Sequence, residues 1–371
     1  MMDIVLAIAG AVLAGALLYL LFWPMWVRPV AWSPSRNPGW TGVFAPLSWP
    51  TFQWIETGIG PEDVVRDRDG FLLTGLADGR IVRVDPATGR GQDIARTGGR
   101  PLGVILDAAG ELFTADPDRG LLHVAMDGTV TLLTDSVDGT PIGFADGIDV
   151  DRDGVLWFSD MSTRYPHDLH MDYWEGRASG RLLTYDRRSG VTSVRASDLH
   201  YPNGVALGPG GQYIVVCEMI RARLVRIWLD GPRAGERETF ADGFPAYLDN
   251  IFFDAGMNLF WVALVGERQP QFDRWARFPL IRRSWARIPG ARIPHPMPWY
   301  RSRTGYSGAV VAVDTDGKVC ACLRDAANAF GAITSVHRFG DSLYLGSIAM
   351  PAVARVPLAG VDTGRPLPGP E

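Results

Sequence analysis

Short apolar runs alternate with polar, glycine-containing turns along most of the chain. Six related copies share this pattern. They read PEDVVRDRDGFLLTG from Pro61, PLGVILDAAGELFTAD from Pro101, FADGIDVDRDGVLWFSD from Phe144, PNGVALGPGGQYIVVCE from Pro202, YLDNIFFDAGMNLFWVAL from Tyr247 and ITSVHRFGDSLYLGS from Ile333. In each, an apolar strand is followed by D-x-x-G or a relative and then by a second apolar strand. Further hairpins follow, as in GRIVRVDPATGRGQDIA, GLLHVAMDGTVTLLT and ARLVRIWLDG. Four strands per unit, repeated six times, predict an all-β, six-bladed β-propeller, in which each blade buries its faces against its neighbours. Six similar units exceed what a β-sandwich needs. Helical patterning is nearly absent after residue 30.

The N-terminus breaks this pattern. Ile4 to Trp23 carries no charge over twenty residues, long enough to cross a bilayer as a helix. A cleaved signal peptide would want a basic start and a small-x-small site. Here Asp3 comes first and Trp, Pro and Arg follow, so an uncleaved single-pass anchor is predicted. Trp23, Trp26 and Trp32 suit the interfacial aromatic belt, while Arg28 and Arg36 after the helix argue for a cytoplasmic C-terminal domain. The predicted organisation is an anchor over 1–27, a Pro- and Trp-rich linker over 28–50, the propeller over 51–360 and a tail over 361–371. Insertions at 161–180 and 266–306 interrupt the third and fifth units. The second is rich in arginine and carries Trp275, Trp285 and Trp299, a mixture that suits an anionic membrane surface. A lid over the propeller mouth is the other reading.

Composition narrows the chemistry. Apolar residues make up 47% and charged residues 21% of the 371, which fits a globular core. The net charge of −5 gives no reason to expect nucleic acid. Lys318 is the single lysine and sits in a turn, a poor Schiff-base candidate. Cys217, Cys320 and Cys322 form neither a disulfide framework nor a zinc spacing and read as apolar filler. DVDRDG at Asp149–Gly154 imitates the start of an EF-hand loop but lacks flanking helices and the closing Glu; it reads as a hairpin turn. GYSGA at Gly305–Ala309 misses the nucleophile-elbow pattern.

The polar residues at the strand entrances carry the site prediction. Inner strands of a propeller line one axis, so equivalent positions converge. Those positions hold Glu62-Asp63, Leu102, Asp146, Asn203, Asp249-Asn250 and Ser335. Four of the six blades present a carboxylate or carboxamide, and such hard oxygen donors select Ca2+, with Mg2+ or Mn2+ as alternatives. Isolated Asx residues also cap turns at strand ends. Within YLDNIFF, Ile251 and Phe253 are expected to face one sheet surface and Phe252 the other, with Asp249 turned to the axis.

GRPLGVILDAAGELFTAD, YPNGVALGPGGQYIVVCE, YLDNIFFDAGMNLFWVAL and SLYLGS resemble the strictosidine synthase-like family, including its adipocyte plasma-membrane-associated members, over about residues 55–358. More distantly, the chain is similar to paraoxonases and to the gluconolactonase/senescence-marker proteins. The resemblance implies a six-bladed propeller with calcium on the axis, and it carries ligand roles onto Glu62 in GPED, Asn203 in PNG and Asp249 in LDN, with Asn250 following. Three departures matter. Ala145-Asp146 keeps the acid of the usual N-D but loses the asparagine. Leu102 stands where paraoxonases have histidine. Ser335 stands near the catalytic glutamate of strictosidine synthase, which argues against that condensation.

The leading expectation is a membrane-anchored, calcium-dependent hydrolase of small hydrophobic lactones or esters. Glu62, Asn203, Asp249 and Asn250 would hold the metal, and Asp249 or Asp146 would orient or deprotonate water. Leu102, Ser335 and His337 are the candidate substrate-pocket residues, and the insertions would form an apolar entrance. The alternatives are a non-catalytic tethered propeller with structural calcium and a condensing synthase on the same axial site. The resemblance places the propeller outside the cytoplasm, against the two arginines.

Overall fold

The computed structural model describes residues 1–48, 52–297, 307–324, 329–359 and 361. Trp299, Arg301, Arg303, the start of GYSGA and nearly all of the predicted tail lie outside the described residues. The chain forms two compact units, Met1–Pro34 with Asp168–Arg177 and Gln269–Pro298, and a larger unit made of the remainder.

The larger unit is the predicted propeller. Five of its six blades contain four consecutive antiparallel strands, the sixth has three completed by a strand from the start of the domain, and a small two-stranded ribbon pairs Ser136–Val137 with Thr140–Pro141. The first strands are Val64–Arg66, Val104–Leu106, Ala145–Val150, Pro202–Leu207, Ala246–Asp254 and Ile333–Phe339. Each touches the first strand of the next sheet, and the sixth touches the first. This closed ring of innermost strands defines the axis.

The last blade is completed by the beginning of the domain: Gln53–Glu56 pairs antiparallel with Ala352–Pro357. Leu47–Ser48 adds a parallel edge to Val319–Arg324 of blade five, and Phe44 packs on Phe244 of the core between blades four and five. Burying both ends of the domain in sheets leaves no open seam.

The cores lie between blades, as alternation requires. Ile251 and Phe253 join the cluster shared with blade four, whereas Phe252 joins the cluster shared with blade six. YLDNIFF therefore divides its side chains as the alternation predicts. The D-x-x-G segments are hairpin turns with a common mechanism. Asp67, Asp107, Asp151 and Asp314 each accept, on one carboxylate oxygen, the backbone N–H groups two and four residues on. DVDRDG is one of these Asx turns.

The smaller unit is helical. Helix α1 (Met2–Phe22) has no buried residue. Helices α2 (Leu169–Glu175), α3 (Pro270–Ala276) and α4 (Pro279–Arg287) come from the two insertions. Their turns are too short to show an apolar period of 3.6, which is why the sequence pattern missed them. Arg282 is buried among them and donates to the carbonyls of Trp174, Val30 and Ala276.

Candidate axial site

The strand pairing explains how the axial residues are presented. In blades three, four and five the ladder between first and second strands is interrupted between Ala145 and Ile148, Pro202 and Val205, and Leu248 and Ile251. The skipped residues are Asp146-Gly147, Asn203-Gly204 and Asp249-Asn250. Such an irregularity frees a dipeptide from regular pairing and re-aims its side chains.

Close approach between inner strands demands glycine beside them. A Cβ on Gly147 would lie 2.6 Å from the Asn203 carbonyl oxygen, and one on Gly204 would lie 2.5 Å from the Cα of Asn250. The register also corrects one position. The sixth-blade residue equivalent to Asp249 is Thr334, and Ser335 matches Asn250. Thr334 Oγ1 donates to the Glu62 carbonyl at 2.6 Å, tying the last blade to the first.

Acids at the ends of second strands aim the entrances. Asp116 accepts from the Arg100 backbone N–H, just before Leu102. Asp160 accepts from the N–H groups of Gly143 and Phe144, just before Asp146. Glu218 accepts from the N–H of His200, just before Asn203. Asp160 is itself held by Arg181 at 2.6 Å. These acids close the motifs ELFTAD, VLWFSD and YIVVCE, so the sequence carries the signal although it reads only as a strand end.

The result is a buried polar group on the axis. Glu62, Asp146, Asn203, Asp249 and Asn250 all lie at or below 6% exposure. Asn250 Nδ2 donates to Glu62 Oε1 at 2.9 Å, and Asn203 Nδ2 lies 3.5 Å from Asp146 Oδ2. Four oxygens remain buried without a hydrogen-bond partner: Glu62 Oε2, Asp146 Oδ1, Asn203 Oδ1 and Asp249 Oδ1. Unmet acceptors of this kind are costly and point to a missing donor or cation.

The charges agree. Burial, with the neighbouring charges of Asp146, Asp249 and Asp63, holds the Glu62 carboxyl well above its usual range. Asp249 is raised by burial and by Asp146, against hydrogen bonding with Asn203 and Glu62. Asp146 is pushed up to about 7 by burial and by the charge of Asp63. Arg100 opposes the rise at Glu62 and Asp146, a role that sequence reasoning missed; it sits two residues before Leu102 in GRPLG.

Among the described residues no three His, Cys, Asp or Glu side chains form a ready metal cage. The acids repel one another without enclosing a cation, so any site must be completed by the amide oxygens of Asn203 and Asn250. That mixed carboxylate–carboxamide donor set, with unpaired oxygens on four blades, fits a hard cation.

Leu102 is buried at the blade-two entrance. Ser335 is buried with an unpaired Oγ. His337 is two residues further along the sixth inner strand, where Nε2 meets Asp63 Oδ1 at 2.9 Å. Its ring lies against Phe252 and lines a separate cavity of about 370 Å³ with Asp149, Ile105 and Phe339. The structure thus groups Glu62, Asp146, Asn203, Asp249 and Asn250, and sets His337 apart. Cys217 is buried nearby with its thiol raised by burial and by Asp249, and burial pushes Cys322 up to about 12. Neither thiol is poised as a thiolate.

The sequence relatives decide the family. Strictosidine synthase-like 6 of Arabidopsis thaliana is 34% identical over 315 residues, covering 82% of this chain and 81% of its own. The chain belongs to the strictosidine synthase-like family. Family models agree: "Strictosidine synthase-like, N-terminal" matches residues 52–84 and "Strictosidine synthase" matches 146–232. The matched spans of this strictosidine synthase-like protein include Glu62, Asp146 and Asn203, whereas Asp249 lies outside them. The adipocyte plasma membrane-associated protein of Danio rerio is 29% identical over 357 residues, covering 90% of this chain and 85% of its own.

Solved structures show the same fold. A gluconolactonase from Xanthomonas campestris aligns with TM-score 0.59 at 15% identity, covering 91% of this chain and 99% of its own. A calcium-binding regucalcin from Agrobacterium tumefaciens aligns with TM-score 0.58 at 17%, covering 87% and 98%. Helix α1, with a mean hydropathy of 2.6, is long and apolar enough for a single-pass or signal anchor.

Proposed function

We propose that this strictosidine synthase-like protein is a membrane-anchored, calcium-dependent hydrolase of lactones or esters. The observation that carries the proposal is the set of four unpaired buried oxygens contributed by four different blades to one axis. The same fold serves a gluconolactonase and a calcium-binding regucalcin, which is the reason for choosing this reaction class.

Glu62, Asn203, Asp249 and Asn250 would hold the ion, with Asp146 beside them. A bound calcium supplies Lewis-acid polarisation of the substrate carbonyl and stabilises the oxyanion. Asn250 fixes Glu62 through its Nδ2 donation, and the glycine series holds the blades close enough for the donors to converge. Asp146, raised towards neutrality, suits a general base. It would take a proton from water as the oxygen attacks the carbonyl carbon. That proton would pass to the departing alkoxide as the C–O bond breaks, giving a carboxylic acid and an alcohol. Asp249 would orient the water. By the family resemblance, α1 would hold the propeller outside the cytoplasm.

A specific observation keeps a second reading in play. Ala145, where the family motif usually has asparagine, is buried in the core between blades two and three and adds no polar group to the axis. A tethered binding propeller with structural calcium has the same metal site without turnover. Full-length protein in detergent, assayed with calcium or chelator against a panel of lactones and aryl esters, separates the two. Chelator-sensitive hydrolysis lost in Asp249→Ala supports the enzyme. Stoichiometric calcium binding with no hydrolysis across the panel refutes it in favour of the binding module.

A further inference from the structure

Helix α4 is built inside out. Its buried side chains are Arg282 and Arg287, at 2% and 3% exposure. Phe278, Ile281, Trp285 and Ile288 are instead 38–52% exposed, and Leu280 is 66% exposed. The spacing of 278, 281, 285 and 288 places four of these on one face of a helix. A face of this kind on a short helix would ordinarily turn to the core.

The reason for the inversion lies in what the polar face holds. Arg287 donates through Nε to the Trp23 carbonyl and through Nη1 to the Leu20 carbonyl, both at 2.7 Å. Ser284 Oγ donates to the same Leu20 carbonyl at 3.0 Å. Tyr19 returns a hydrogen bond to the Arg287 carbonyl. These carbonyls belong to the C-terminal end of α1, which has no intrahelical donors for them and favours positive charge. Helix α4 is therefore fastened to the end of the apolar helix that is long enough to cross a bilayer.

We infer that α4 is a second membrane element, lying in the lipid interface at the point where α1 leaves the bilayer. The occupant of the apolar stripe is the acyl region of that same membrane. Its exposed apolar side chains belong to a helix packed on the end of α1, which has no buried residue itself, and the exposed Arg274 and Arg277 that precede them in the chain suit lipid phosphates. The 266–306 insertion thus meets the membrane through its apolar residues, while Arg282 and Arg287 serve backbone carbonyls inside the unit. The inference rests on α1 residing in the bilayer.

Spin labels on the full chain test this in vesicles of phosphatidylcholine and phosphatidylglycerol. Cys320→Ser removes the partly exposed native thiol. Single cysteines are then placed at Ile281, at Ile288, at Val12 within α1 and at Ala87 in an exposed propeller turn. Labels at 281 and 288 should show collision rates with oxygen several-fold above those with a water-soluble nickel chelate, as at 12, with the reverse at 87. Nickel accessibility at 281 and 288 equal to that at 87 overturns the inference. Shielding from both reagents also overturns it, because a second copy or another protein then covers the stripe. A label at 12 that is open to nickel refutes both the anchor and the inference. Lipid exposure at 12 with failure at 281 and 288 refutes the inference alone.

Discussion

Substituting Asp249→Asn should reverse the order of stability between calcium-loaded and calcium-free protein. In chelator, the Asp249 charge raises the proton affinity of buried Glu62, and Asp249 is itself raised by burial and by Asp146, with Asp63 adding to the field at both. Asparagine keeps the shape and one oxygen but removes a charge, so the chelated variant should melt at or above the wild type. With calcium the order inverts. An ion present at a hundred times its dissociation constant stabilises the folded state by about 2.7 kcal/mol. For a domain of this size that is a rise in Tm on the order of 5 °C. The variant, lacking one of the carboxylates that would balance the ion, should lose most of that rise. Scanning calorimetry in chelator and across a calcium titration reads both halves. A wild-type Tm indifferent to calcium, or a variant that gains as much as the wild type, would refute the axial metal site.

Three further predictions follow from individual contacts. Asp146 holds its proton in the folded protein up to about pH 7, against 3.8 for the free group, so its contribution is complete below pH 3.8 and is lost as pH rises through about 7. In chelator, the stability advantage of wild type over Asp146→Asn should fall by roughly 1.4 kcal/mol per pH unit across that window and level off above it; a pH-independent difference would contradict the assignment. Asp160→Ala leaves Arg181 buried without its partner and frees the blade-three entrance, so denaturant titration should show a loss of about 3–5 kcal/mol, and Asp160→Asn should recover part of it. Gly204→Ala drives a Cβ to 2.5 Å from the Asn250 Cα; a cost of roughly 1–3 kcal/mol and weaker calcium binding by calorimetry are expected, whereas Gly210→Ala, in open space though at positive φ, should leave calcium binding unchanged.

How much of this was legible in the sequence follows from what is local. The strands, the D-x-x-G turns and the six-fold count depend on alternation and on turn chemistry that acts over a few residues. YLDNIFF shows this well: the opposite facing of Phe252 and its neighbours follows from the two-residue period alone. The identities of Glu62, Asp146, Asn203, Asp249 and Asn250 were also readable, because a propeller brings equivalent strand entrances to one axis. Their convergence was an inference from the fold class, however, since no two adjacent members of the set except Asp249 and Asn250 are near one another in the chain.

Other features required the tertiary structure. Thr334, rather than Ser335, occupies the axial register because the irregularity in the ladder between the first and second strands of blade six falls between Ile333 and Ser335, which pairing sets and composition does not. Arg100 became relevant only when its charge was seen beside Glu62 and Asp146. His337 pairs with Asp63 and lines a cavity apart from the axial group, because three residues along the strand from Thr334 displace a side chain by about 10 Å. The closure of blade six by Gln53–Glu56 joins segments separated by nearly the whole domain. In α4 the sequence shows arginine beside Trp and Ile, which fits either a basic surface or a core helix. Only the position of the Leu20 and Trp23 carbonyls determines that the arginines turn inward and the apolar residues outward. Local period fixes which residues can share a face; what that face meets depends on hydrogen-bond partners distant in sequence.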